Sequence, residues 1–278
     1  MFSRPLRLVG VVIDWAGTLA DHGSRAPVEA LRGIFSDAGV PIDTAEARSS
    51  MGLAKRSHIA AILELPRVRA AWTDKHGAAP IDADVDRLYA DFMLRQSECL
   101  KEHSVLIDGI PEAIASMRRR GLAIGTTTGY TRPMLDFLLE RAREQGLEPD
   151  AAFCPGDVPV GRPAPFMCYL NAIRMNVFPM SSMVKIGDTP VDIEEGLNAG
   201  MWTIGITRTG NEVGLGVEKW LKCSEPEKAA LLAAAEARLL SAGAHYTAES
   251  VAECESILDE IQSRIEQGEL PRRADGIL

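Results

Sequence analysis

Four short runs of almost uninterrupted apolar residues punctuate the chain, at 8–13 (LVGVVI), 122–126 (LAIGT), 183–186 (MVKI) and 202–206 (WTIGI). A strand with one wet face alternates polar and apolar residues. Runs without alternation suit strands covered on both faces, as in a parallel sheet. Each run leads into a turn, and helical spacing of apolar residues follows at 111–119, 133–144 and 191–198. Strands alternating with helices of this length predict an α/β chain built on a parallel sheet. The stretch 22–103 is different: its spacing is helical throughout and holds no strand pattern. Pro27 stands at a first helical position, Gly39 just past a helix end, and 81–103 reads as one long amphipathic helix. The expected organisation is a core domain of residues 1–21 and 104–278, interrupted after its first strand by a helical cap of residues 22–103. Further on, 225–242 is expected as a helix, 243–246 as a short edge strand, Thr247 as the cap of a final helix and 271–278 as a loosely held tail.

Charge and cysteine usage narrow the function. Lys and Arg number 30 against 39 Asp and Glu, a net charge of −9. That is the opposite of the basic footprint of a nucleic-acid binder or a polybasic membrane patch. Apolar residues are 46 % of the chain, enough for a sizeable core. Arg4 and Arg7 ahead of the run at 8–13 imitate a signal peptide, but the run is short and ends in Asp14. No stretch approaches the roughly 18 apolar residues of a membrane span. The cysteines (Cys99, Cys154, Cys168, Cys223, Cys254) are odd in number and form no C-x-x-C pair. That disfavours a zinc site or disulfide framework and fits reduced thiols in a cytoplasm.

In an open parallel sheet, ligands bind beyond the carboxyl ends of the strands. The first run ends in Asp14-Trp-Ala-Gly-Thr18, which places a carboxylate there as a nucleophile or metal ligand. The second ends in Thr126-Thr-Thr-Gly-Tyr130, a hydroxyl-bearing turn at a helix start, suited to phosphate oxygens. Gly161-Arg-Pro-Ala-Pro165 sets Arg162 ahead of a further helix, and the third run delivers Asp188, with Asp192 four residues on. Singly, each is as readily a turn, a helix cap or a surface charge. Together they bring carboxylates to one edge, where they repel unless a hard cation such as Mg²⁺ lies among them.

This ordered set resembles the haloacid dehalogenase superfamily, and the resemblance spans nearly the whole chain. It implies a Rossmann-like core with an inserted helical cap. Typical phosphatases of that superfamily read D-x-D, where this chain has Ala16, and carry a Lys where this chain has Arg162. The cap carries Met51-Gly-Leu-Ala-Lys-Arg-Ser-His58. With D-W-A-G-T, T-T-G-Y-T-R and G-R-P-x-P-x-M-C-Y, the combination looks like the phosphonoacetaldehyde hydrolase family. Breaking a carbon–phosphorus bond expels carbon, so an acid for an oxygen leaving group is dispensable at position 16. What the reaction needs is an electron sink, and a lysine imine supplies one.

The resemblance implies that Lys55 forms the imine and Asp14 attacks phosphorus. Mg²⁺ would be held by Asp14, the Ala16 carbonyl and Asp188, with Asp192 as a supporting acid. Thr128, Gly129 and Arg162 would steady phosphoryl oxygens, while Met51 and Tyr130 line the pocket. His58, three residues after Lys55, would share its helix face and move protons. Family members carry a Cys where this chain has Ser24. The resemblance further implies a homodimer joined through the caps. Its rivals are a general Mg²⁺-dependent phosphatase or 2-haloacid dehalogenase on the same fold, and a binding scaffold without catalysis.

Overall fold

The computed structural model describes residues 7–271. Arg4, and the expected tail from residue 272 on, lie outside the described residues. The core is a six-stranded sheet in the order β3-β2-β1-β4-β5-β6, every neighbouring pair parallel. The strands are β1 (Gly10–Ile13), β2 (Ala123–Thr127), β3 (Ala151–Phe153), β4 (Met183–Gly187), β5 (Trp202–Ile206) and β6 (Tyr246–Ala248). All four residues of β1 are buried, as its unbroken apolar run requires. Val11 and Ile13 join the large core shared with the cap, whereas Val12 packs from the other face with Cys168, Met183 and Met201.

Between β1 and β2 the chain forms only helices: α1 (Ala26–Asp37), α2 (Thr44–Arg48), α3 (Lys55–Glu64), α4 (Pro66–His76) and α5 (Asp82–Glu102). α1 packs along α5, and Leu31, Phe35, Leu88 and Phe92 bury their side chains in the same core. α2 begins with a capping box, in which the Asp43 side chain accepts from Glu46 N–H while the Glu46 carboxylate accepts from Asp43 N–H. The core helices are α6 (Ile110–Arg119), α7 (Arg132–Glu144), α8 (Phe166–Met175), α9 (Pro190–Asn198), α10 (Val217–Lys222), α11 (Glu225–Ser241) and α12 (Glu255–Glu266).

Two details depart from the sequence reading. Residues 243–244 do not join the edge strand: Gly243 leaves α11 at φ +97°, His245 N–H donates to the Thr203 carbonyl at 3.2 Å, and the strand itself runs from Tyr246. Thr247 therefore sits inside β6, its hydroxyl donating to Glu236, and α12 begins after Cys254 instead. β3 was not anticipated, because its three residues carry no β-branched side chain; it exists through its pairing with β2 at Gly125–Thr127.

Candidate active site

The strand order reverses at β1, which lies between β2 and β4, so the carboxyl ends of these three strands converge. Asp14 N–H donates to the Ile186 carbonyl of β4 at 2.9 Å, carrying the pairing one residue past β1 and fixing the direction of the carboxylate. Gly17, at φ +82°, turns the chain away; a Cβ there would collide with the Asp188 carboxylate. Asp188 is buried beside it. The Asp14, Asp188 and Asp192 carboxylates can offer oxygens within 4.8 Å of one another.

Asp192, on the first turn of α9, is already fully engaged. Its carboxylate meets Arg162 Nη1 at 2.8 Å and Lys185 Nζ at 2.9 Å, and accepts from the Thr189 hydroxyl at 2.6 Å. Arg162 also meets Asp14 through Nη1 at 2.8 Å and Glu195 through Nε at 2.9 Å. Thr127 accepts from Arg162 at 2.5 Å and Lys185 at 2.9 Å while donating to Glu195 at 3.0 Å. Arg162, Lys185, Asp192 and Glu195 thus form a buried quartet of balanced charge beneath the site. Asp14 and Asp188 are the surplus.

Burial and the Asp192 carboxylate raise Asp14 to about 6, although Arg162 pulls it down. Burial and the charges of Asp14 and Asp192 push Asp188 well above the usual carboxylate range. Asp188 Oδ2 accepts from Asn211 N–H at 2.8 Å, whereas Oδ1 is buried with no hydrogen-bond partner. Two buried carboxylates outside that quartet, one with an orphaned oxygen, fit a hard divalent cation.

These acids open into a small cleft lined from the cap side by Met51, Gly52 and Lys55. The backbone of the Met51–Lys55 loop presses directly on the core: a Cβ on Gly129 would meet the Leu53 carbonyl oxygen at 2.7 Å. Lys55, the first residue of α3, reaches the cleft with its amine 4.0 Å from Met51 Sδ and 5.2 Å from the centre of the Tyr130 ring. Burial, with Arg162 opposing the charge and Asp14 favouring it, lowers the amine to about 8. Its station at a helix N-terminus disfavours the ammonium further.

Asp14, Ala16, Met51, Lys55, Thr128, Gly129, Tyr130, Arg162, Asp188 and Asp192 all line this cleft, as does Ser24. His58 does not. It lies fully buried behind Lys55, with Nε2 3.0 Å from the Ala47 carbonyl. Burial and the nearby Lys55 charge lower it to about 3. A carbonyl only accepts, so Nε2 carries the proton of a neutral ring. Thr128 spends its hydroxyl locally, accepting from Tyr130 N–H at 3.2 Å. Sequence reasoning missed Thr127, Lys185 and Glu195. The available signals were a lysine inside an apolar strand run and a glutamate one helical turn after Asp192.

Comparison with known proteins agrees with this architecture. The family model of haloacid dehalogenase-like hydrolases matches residues 9–200. A phosphonoacetaldehyde hydrolase of Syntrophobacter fumaroxidans is 44 % identical over 270 residues, covering 97 % of both chains. Its counterpart from Nitratidesulfovibrio vulgaris is 42 % identical over 271 residues, 98 % of this chain and 96 % of the relative. A crystal structure of a phosphonoacetaldehyde hydrolase-like protein from Oleispira antarctica superposes with a TM-score of 0.94 at 38 % identity, covering 97 % of each chain.

Proposed function

The chain belongs to the phosphonoacetaldehyde hydrolases of the haloacid dehalogenase-like family, and we propose that it cleaves phosphonoacetaldehyde to acetaldehyde and phosphate with the residues assembled above. One observation carries the reading: a buried amine of lowered pKa and a buried carboxylate share one small cleft, one from the cap and one from the core. Ala16 leaves no acid at the position where a phosphatase protonates an oxygen leaving group.

The neutral Lys55 amine adds to the substrate aldehyde and, taking up one proton from solvent, expels water to give a protonated imine. Asp14 attacks phosphorus opposite carbon. The carbon–phosphorus pair moves into a carbon–carbon double bond as the iminium nitrogen takes up its electrons, leaving an enamine and an aspartyl-phosphate. Water attacks phosphorus of this acyl phosphate, releasing inorganic phosphate and the free Asp14 carboxylate. Protonation of the enamine carbon and attack by a second water release acetaldehyde and free Lys55. Arg162 holds the Asp14 carboxylate ionised and in register, and Thr128 and Gly129 border the phosphoryl oxygens. Asp14, Asp188 and the Ala16 carbonyl would hold Mg²⁺, which when bound neutralises phosphonate charge and lowers the barrier to attack by an anion. Acetaldehyde release from phosphonoacetaldehyde tests the reading, and phosphate release from ordinary phosphomonoesters with no acetaldehyde would favour the general phosphatase.

Chelation is expected to abolish turnover and Mg²⁺ to restore it, because burial and mutual repulsion push Asp14 and Asp188 toward their protonated forms when no cation lies between them. Full activity after exhaustive chelation would remove the metal from the mechanism. The rate should also climb with pH through about 8, as Lys55 loses its proton. At pH 7 about a tenth of such amines are neutral, against about 0.03 % for an ordinary lysine, some 300-fold more nucleophile. A profile of kcat/KM that is flat between pH 7 and 9 would separate Lys55 from the rate. Pairing of two chains through their caps is proposed from the family likeness alone, and sedimentation checks it. No helix of the described residues is long and apolar enough to cross a membrane. The free cysteines support a reducing compartment, and a cytoplasmic site is part of the proposal.

A further inference from the structure

Arg48 closes α2 in the cap, outside the cleft, yet its guanidinium reaches two other segments. Nη1 donates to the Asn211 side-chain oxygen at 2.7 Å, and Nη2 to the Gly23 and Gly214 carbonyls at 2.9 and 3.0 Å. Weaker contacts at 3.4 Å reach the Ser24 and Asn211 carbonyls. Gly23 and Ser24 belong to the linker from β1 into the cap, while Asn211 and Gly214 lie in the core loop after β5. The acceptors are backbone and amide oxygens, so the guanidinium reads the positions of both segments and not a single opposing charge.

Two features show that the neighbours are shaped around it. Gly214 sits at φ +66°, and a Cβ there would come within 2.8 Å of the guanidinium. The linker holds a run of left-handed residues, Asp21 at φ +59°, Gly23 at +87° and Ser24 at +47°. Two of these are not glycine, a conformation that persists only when surroundings impose it. The same core loop reaches the reacting acids, because Asn211 N–H donates to Asp188 Oδ2 at 2.8 Å. On the cap side, His58 of α3 holds the Ala47 carbonyl, next to Arg48. A continuous set of contacts therefore joins the helix of Lys55 to Asp188.

We propose that Arg48 is a positioning residue that latches the closed cap to the core and, through Asn211, sets Asp188 for its cation. The proposal rests on the functional reading above, with Asp188 facing a divalent metal. When the cap lifts, the bonds to Asn211 and Gly214 break, and the loop that orients Asp188 loses its hold.

Arg48→Met, Arg48→Lys and Asn211→Ala test it, each read for melting temperature, kcat, KM and, by calorimetry, affinity for Mg²⁺ alone. Arg48→Met should raise KM at least about tenfold and weaken Mg²⁺ binding several-fold, the loss of charge-assisted bonds. Arg48→Lys should not restore either value, since an ammonium lacks the planar fork that reaches acceptors on both segments at once. Asn211→Ala should weaken Mg²⁺ binding on its own, and the double variant Arg48→Met/Asn211→Ala should fall short of the summed effects. Variants that lose only melting temperature, with KM and Mg²⁺ affinity within twofold of wild type, would reduce Arg48 to fold support. Full rescue by lysine would likewise overturn the latch. If Arg48→Met does not fold, Asn211→Ala decides alone, with unchanged Mg²⁺ affinity counting against the proposal. Absence of acetaldehyde from the wild-type protein would instead refute the functional reading, since Mg²⁺ binding is measured without substrate.

Discussion

Lys55→Arg is expected to lose at least about 10⁴-fold in turnover, the scale seen when an essential nucleophile is removed. The substitution keeps the positive charge and most of the volume in a buried position beside Asp14. A guanidinium stays protonated and cannot condense with an aldehyde. A lysine that only attracted the phosphonate would be largely rescued by arginine, so the size of the loss separates the two roles. Borohydride added with phosphonoacetaldehyde should trap wild-type protein as a reduced adduct on a single lysine. Peptide mapping should find it at Lys55, and not at Lys75, Lys101 or Lys185. Lys185 is the informative control, because it is equally buried but spent on Asp192, Glu195 and Thr127. An adduct elsewhere, or appreciable turnover by Lys55→Arg, would mean that another group takes the electrons.

Asp14→Asn should be inactive by a comparable factor, on the order of 10⁴ to 10⁶. An amide is a poor nucleophile toward phosphorus. The variant should nevertheless fold. Asparagine has nearly the shape of the acid, and Arg162 retains Asp192, Glu195 and Thr127. It also removes one of two mutually repelling buried carboxylates, so without metal it should melt no lower than wild type. Borohydride should still label its Lys55, because imine formation needs only the amine and the aldehyde. Labelling without acetaldehyde release would split the reaction into its cap-borne and core-borne halves. Release of acetaldehyde at a wild-type rate would mean that Asp14 is not the attacking group.

Much of this arrangement is legible in the chain itself, for identifiable reasons. β1, β4 and β5 are buried on both faces, so their apolar runs are continuous and their ends can be located; Asp14 and Asp188 follow directly from that. β3 is three residues long and is defined by its partner, which no local pattern records. His58 follows Lys55 by three residues in α3, yet only Lys55 lines the cleft, because spacing alone does not say which side of the helix meets it. The buried quartet was the least legible. Lys185 interrupts an apolar run, Glu195 resembles a solvated helix position, and their meaning arises only where β2, β4 and α9 come together around Thr127. Arg48 was hidden in the same way, since its acceptors come from loops far away in sequence.

The parallel pairing of β1 with β2 sets Gly10 beside Ala123, and the whole cap lies in the intervening loop of roughly 110 residues. Closing such a loop costs about 2 kcal/mol more in chain entropy than closing one of ten residues. Contacts between α1 and α5 and between α3 and α4 span shorter separations and form at lower entropic cost. A compact, already helical insertion shortens the effective distance between the two strand ends, so order in the cap favours the central strand pair. Asp14 and Thr127 become neighbours only once that pair has zipped to its carboxyl end. Formation of the edge that carries the candidate site is thereby tied to the long-range closure between β1 and β2 and not to any local contact.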